Sequence, residues 1–186
     1  KNAGAADPMT GILHDNIAGV YRQLNQLNKA EEHYRAAMDS LVLAHGNEHP
    51  DVALALSNLA ALYDARRDYE GADKLYKQAI QINHKIYGDN HPSMVNFLRL
   101  LGENDFDRKD YESAENNYLK ALEISHATYG PEHTKTGKIN TKLAALYLWQ
   151  QNYHQALEHY RIAARIENTR LSRDTDADRS NNAEDR

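Results

Sequence analysis

An all-α solenoid of antiparallel helix pairs is the fold this sequence predicts, and three features predict it. The first is a fixed period. Asn16, Asn58, Leu100 and Lys142 lie 42 residues apart, and the same spacing aligns Ala30, Ala72, Ala114 and Ala156. It also aligns Tyr34, Tyr76, Tyr118 and Tyr160, and then Ala37, Ala79, Ala121 and Ala163. Such a period marks stacked supersecondary units, each too small to bury its own apolar face. The second feature is the recurrence of apolar residues at three and four, in Leu56, Leu59, Ala60 and Tyr63 and again in Leu75, Tyr76, Ala79 and Ile80. That spacing puts them on one face of an amphipathic helix. The third is the short connection Ala65-Arg66-Arg67-Asp68, which leaves the two helices no arrangement but antiparallel neighbours.

The elements follow in order. In the second unit one helix runs from Asp51 to Arg66 and its partner from Tyr69 to Ile86. The register extends this to pairs at about 8–45, 50–87, 92–129 and 134–168, an array over residues 5–168. Small residues mark the helix crossings: Ala18, Ala60, Gly102 and Ala144 on the first helices, and the alanines at 30, 72, 114 and 156 on the second. Gly46, Gly88 and Gly130 end the second helices, because glycine takes a positive φ without steric cost. Pro50 and Pro92 open the next first helices, where a missing N–H costs nothing. Gly4 and Pro8 stand 42 residues before Gly46 and Pro50, so residues 1–4 are expected to be the end of a preceding repeat. At the other end, Ser172 and Asp176 replace the glycine and proline that the register calls for. The polar stretch 169–186 is expected to be a disordered tail or linker.

Composition excludes several classes. A net charge of -5 does not suit a general nucleic-acid binder. No apolar run approaches the roughly 18 residues of a membrane span. No secretory signal is visible, and without cysteine there is no disulfide framework or thiolate site. A cytoplasmic location is expected.

The motifs are specific. Asn58 to Tyr63 reads N-L-A-x-L-Y, Asp68 to Ala72 reads D-Y-x-x-A, and Tyr76 to Ala79 reads Y-x-x-A. This pattern resembles the tetratricopeptide repeat. The loops H-G-N-E-H-P (His45 to Pro50) and Y-G-D-N-H-P (Tyr87 to Pro92) resemble those of the 42-residue, kinesin light chain-like type. The resemblance implies a right-handed superhelix whose first helices line a concave groove, and a scaffold or adaptor that binds a partner protein or extended peptide there. It implies groove-facing columns of Ile12, Leu54, Asn96 and Lys138; of Asp15, Ser57, Arg99 and Thr141; of Asn16, Asn58, Leu100 and Lys142; and of Arg22, Asp64, Phe106 and Leu148. In this family the asparagine column clamps a peptide backbone, since one amide offers a donor and an acceptor. Asn16 and Asn58 match it, and Leu100 and Lys142 depart from it. Arg99, Lys138 and Lys142 are expected to cluster, with no sequence-local acid between them, and to attract an acidic peptide. The kinesin light chain groove, which accepts acidic peptides bearing an aromatic anchor, points the same way. The candidate groove residues are Asn16, Asn58, Asn96, Arg99, Lys138 and Lys142.

The remaining chemistry-bearing residues have a structural reading. All 12 tyrosines fall in repeat columns and are expected to pack. Among the ten histidines, His45 and His49 straddle Gly46 and are not expected to share a helix face; no H-E-x-x-H occurs, so no metal or other cofactor is expected. Carboxylates such as Glu31, Glu32 and Glu70 read as solvated, and no nucleophile elbow, P-loop or dinucleotide fingerprint is present. No enzyme activity is expected. In the third unit Asp105 stands where the others have Tyr21, Tyr63 and Tyr147, so either the helix shifts or Phe106 turns outward. Two rival readings remain: a regulatory or sensor module of a larger NTPase or enzyme, and a structural subunit using its convex face. The sequence leaves oligomeric state open.

Overall fold

The computed structural model describes the backbone of residues 7–184 and the side chains of residues 7–172. It contains α1 (Pro8–Gln23), α2 (Leu27–His45), α3 (Pro50–Ala65), α4 (Tyr69–Tyr87), α5 (Met94–Asp107), α6 (Tyr111–Tyr129), α7 (Thr134–Trp149) and α8 (Tyr153–Glu184). No strand occurs among the described residues. Each odd helix packs antiparallel on the even helix that follows, and each even helix packs on the next odd one. The odd helices also touch one another in sequence, whereas among the described residues no two even helices do. The array therefore bends with α1, α3, α5 and α7 on its inner side and the even helices fanned on the outside.

Local chemistry sets the boundaries. Pro50 opens α3, and the His49 ring accepts from the Asp51 amide at 3.2 Å. Asp68 and Asp110 cap α4 and α6 by accepting from Gly71 and Ser113 amides at 3.0 and 3.2 Å. Gly88 closes α4 at φ 82° and ψ 175°, a region open in practice only to glycine. Inside each unit the turn instead uses a non-glycine residue at positive φ: Asn25, Arg67, Lys109 and Gln151, again one repeat apart.

The crossing alanines Ala18, Ala30, Ala60, Ala72, Ala114 and Ala144 are fully buried. A Cβ on Gly102 would lie 2.7 Å from the Tyr118 ring, so the third pair approaches more closely than an alanine there permits. The ends of the array are open. Leu13, Ile17 and Val20 on α1 are exposed, while their counterparts one repeat later, Ala55, Leu59 and Leu62, are buried. At the other end Tyr160 is 39% exposed, against 1–2% for Tyr34, Tyr76 and Tyr118.

The backbone of α8 continues through Glu184, into the stretch expected to be a tail or linker. The physical reason lies in the two substitutions already noted, since without a glycine at 172 or a proline at 176 nothing stops the helix, and Arg170 pairs with Glu167 at 2.6 Å one turn back. Glu31 is not merely solvated. It bridges to Arg66 of the next unit and to Arg35, at 2.7 Å, and those hydrogen bonds hold its carboxyl below the usual range. Asp105 is buried with no shift of its helix. α5 ends at Asp107, 42 residues after Ala65 ends α3, and the Asp105 carboxylate accepts from Asn117 at 2.8 Å. Phe106 meets the Tyr111 and Trp149 rings, at centroid distances of 5.6 and 6.2 Å. Residues 1–4, expected to end a preceding repeat, lie outside the described residues.

Candidate functional site

All six candidate groove residues sit on odd helices, hence on the inner side. The structure divides them into two groups. On α1 and α3, Asn16 is exposed, and the Asn58 amide donates to both oxygens of Asp15, at 3.0 and 2.8 Å. Asn58 therefore spends its donor on the neighbouring helix. Burial raises the Asp15 carboxyl, and the Asn58 hydrogen bond only partly offsets it.

The cleft between α5 and α7 is cationic. Arg99, on α5, donates to Glu103 at 2.5 Å and to the Asn96 side-chain oxygen at 2.9 Å. Lys142, on α7, reaches the same Glu103 oxygen at 2.9 Å. The expectation of cations without a sequence-local acid is thus corrected, because Glu103 lies one turn beyond Arg99, at the i+4 position that pairs side chains on a helix face. Lys138 is exposed one turn before Lys142 and lines the same cleft of about 650 Å³ between α5 and α7. Lys135 was not foreseen in this group. Its ammonium lies 4.2 Å from the Tyr129 ring centroid and donates to the Tyr129 hydroxyl at 2.9 Å. The cleft therefore carries Arg99, Lys135, Lys138 and Lys142 against the single carboxylate of Glu103. Beyond it along α5 and α7, Phe106, Asp107 and Ala145 line a smaller recess that also touches Glu103 and Lys142. Burial and the Glu103 charge raise the Asp107 carboxyl.

The outer face has its own cleft, of about 620 Å³, between α2 and α4. Met38, Val42, Leu75 and Ile82 form its walls, and a Lys85–Glu48 ion pair at 2.5 Å lies at its rim.

His45, which ends α2, and His49, which caps α3, share no helix face, but their rings stack across the loop with centroids 4.0 Å apart. With Asp51 they bring three ligand atoms within 4.8 Å of one another. The same stack recurs as Tyr87 on His91 and Tyr129 on His133, at 4.2 and 4.8 Å. It is a feature of the inter-unit loop, with His45 in the tyrosine's place. The His49 Nδ1 is engaged by the Asp51 amide, as His133 Nδ1 is by the Lys135 amide at 3.1 Å. A ring that accepts at Nδ1 carries its proton on Nε2, which leaves that nitrogen a poor metal ligand.

The profile described as tetratricopeptide repeat matches residues 9–84, 65–124 and 93–166. The chain belongs to the tetratricopeptide repeat family. Repeats of this family are generally non-catalytic interaction modules, and the match supports a protein–protein interaction scaffold. Among solved structures, BtubC (BKLC) from P. vanneervenii is similar at TM-score 0.78 and 21% identity, over 89% of this chain and 66% of that one. A Podosopora anserina protein described as a kinesin light chain of nearly identical tetratricopeptide-like repeats is similar at TM-score 0.75 and 19% identity, over 92% and 81%. The apo form of RapI is similar at TM-score 0.76 and 17% identity, over 92% and 61%. The chain thus spans just under two thirds of BtubC and of RapI. No curated protein sequence is a significant match. No helix among the described residues is long and apolar enough to cross a membrane.

Proposed function

We propose that this tetratricopeptide repeat array is a kinesin light chain-like adaptor that receives an extended acidic segment of a partner protein in its concave groove, between α5 and α7. The observation that carries this reading is the convergence of Arg99 and Lys142 on one carboxylate oxygen, with Lys138 beside them in an open cleft. The site already holds a carboxylate between two cations, the arrangement that makes charge-assisted hydrogen bonds strong. The exposed ammonium of Lys138, which lies in the field of Glu167, and the amide of Asn16 extend the recognition along the inner face. The likeness to a protein described as a kinesin light chain supports the adaptor role.

The test is binding of a fluorescent hexaglutamate peptide. The triple variant Arg99→Ala, Lys138→Ala, Lys142→Ala should bind it on the order of a hundredfold more weakly while keeping its helicity. Added salt should weaken binding to the unmodified chain, because charges at a groove edge are screened. Lys74→Ala, on the exposed side of α4, should change little. Undiminished binding by the folded triple variant, together with loss on substitution of Met38 and Leu75, would favour the outer cleft and the convex-face reading instead.

A further inference from the structure

Glu103 breaks the repeat at a position where the fold has no use for a long side chain. One repeat before and after it stand Ala61 and Ala145, and two repeats before it stands Gly19. The third unit alone places a carboxylate there, and that carboxylate accepts from Arg99 at 2.5 Å and pairs with Lys142 at 2.9 Å. Both cations are groove residues and belong to different units. We infer, resting on the groove reading above, that Glu103 is a built-in competitor: its carboxylate occupies the place an acidic side chain of the partner takes, and a ligand engages Arg99 and Lys142 only by displacing it.

This has a consequence for specificity. A ligand with one isolated carboxylate exchanges like for like and gains little, because the two ion pairs it makes replace two that already exist. A ligand with several neighbouring carboxylates also reaches Lys138 and Lys135, which Glu103 does not hold. Glu103 therefore selects runs of acidic residues over single ones, a form of discrimination by competition rather than by added contacts. It also keeps Arg99 and Lys142 from repelling each other in the empty groove, so removing it should lower stability slightly while raising affinity.

The experiment measures anisotropy of the labelled hexaglutamate peptide and of a glycine–serine peptide bearing one glutamate. Alanine is the residue of two sister positions, so Glu103→Ala should fold, which circular dichroism checks. It is expected to bind hexaglutamate about tenfold more tightly than the unmodified chain, and to narrow the preference over the single-glutamate peptide. Asp107→Asn removes a charge one turn further along α5, outside the cleft that holds Arg99 and Lys138, and should gain less than about twofold. If Glu103→Ala binds no better while the triple cation variant loses the peptide, the groove reading stands and the competitor inference is overturned. An equal gain from Asp107→Asn also overturns it, by showing a general charge effect. Retention of the peptide by the triple variant, or no binding by any form, sinks the groove reading and this inference with it.

Discussion

The joint between the second and third helix pairs and the joint between the third and fourth share one backbone arrangement and differ in what fills them. At the later joint α7 contributes Leu146 and Tyr147, which lie in a continuous apolar cluster with Tyr118, Ala121, Ile124, Ile139 and Leu143. The Tyr147 hydroxyl reaches out to donate to Glu115 at 2.7 Å. At the earlier joint α5 contributes, one repeat before, Asn104 and Asp105. The Asn104 amide donates to Asp64 at 2.7 Å and to the Tyr69 carbonyl at 3.0 Å, and the Tyr76 hydroxyl donates to Asp64 at 2.8 Å. The Asn104 oxygen is buried without a partner. Both Asp64 and Asp105 have carboxyls raised chiefly by burial. The same scaffold thus tolerates an apolar or a polar seam, because backbone hydrogen bonds are satisfied within each helix and only side chains differ. The two seams should respond differently to truncation, to repacking and to pH.

The largest contrast is expected from truncation. Leu146→Ala removes a fully buried side chain from the apolar seam and should cost about 2–5 kcal/mol. Asn104→Ala, in the polar seam, removes an already under-satisfied amide and should cost about 1–3 kcal/mol. Urea unfolding followed by circular dichroism compares them, and equal midpoint shifts would break the distinction between seams.

Next comes conversion of one seam into the other. Asp105→Tyr should destabilise by about 1–3 kcal/mol, through overpacking and the stranded amide of Asn117. Adding Asn117→His should recover at least half of the loss. It recreates the stack seen for Tyr21 on His33 and for Tyr147 on His159, each with centroids 5.4 Å apart. Absence of recovery would show that the third unit's backbone, and not its side chains, sets the polar seam.

The pH effect should be smaller. Asp64 and Asp105 keep their protons to higher pH in the folded chain than their ordinary value of 3.8. The folded state therefore binds more protons over that window. Their contribution is fully present below pH 3.8 and is lost as pH rises through the raised values. Urea midpoints of the unmodified chain should fall from pH 4 toward neutrality relative to those of the double variant Asp64→Asn, Asp105→Asn. Parallel profiles would mean that the polar seam is hydrated enough to ionise normally.

The smallest expected effect is one the seams should share. Lys109 and Gln151 hold φ of 65° and 61° in the turns of the third and fourth units. Lys109→Gly and Gln151→Gly should each stabilise by up to about 1 kcal/mol, by relieving the Cβ clash of the left-handed region. A gain in only one of them, read as a shift in melting temperature, would show that the turns are not independent of the seams they adjoin.

The period by itself determined much of this protein. Helix pairs, crossing alanines and loop glycines are legible because each depends on neighbours within about one turn or one antiparallel pair, and the register states these directly. The tyrosine columns belong with them. That Asn16, Asn58, Asn96, Arg99, Lys138 and Lys142 fall on the odd helices follows from the register, whereas their role in a binding groove is a proposal that rests on the resemblance to a known repeat. Other features came from the tertiary structure alone. Asn58 turns to Asp15 and Glu31 to Arg66 across a joint, and His45 stacks on His49 across a loop. Asp105 goes inward, and the α8 backbone continues through Glu184. Glu103 lies within sight of the sequence, one turn from Arg99, yet its second partner Lys142 is on another unit. The reason is physical. The repeat fixes which face of a helix a residue occupies, through periodicity that needs no partner. What that residue meets depends on how adjacent units are rotated and spaced against each other, which only the packing of side chains some 40 residues apart decides.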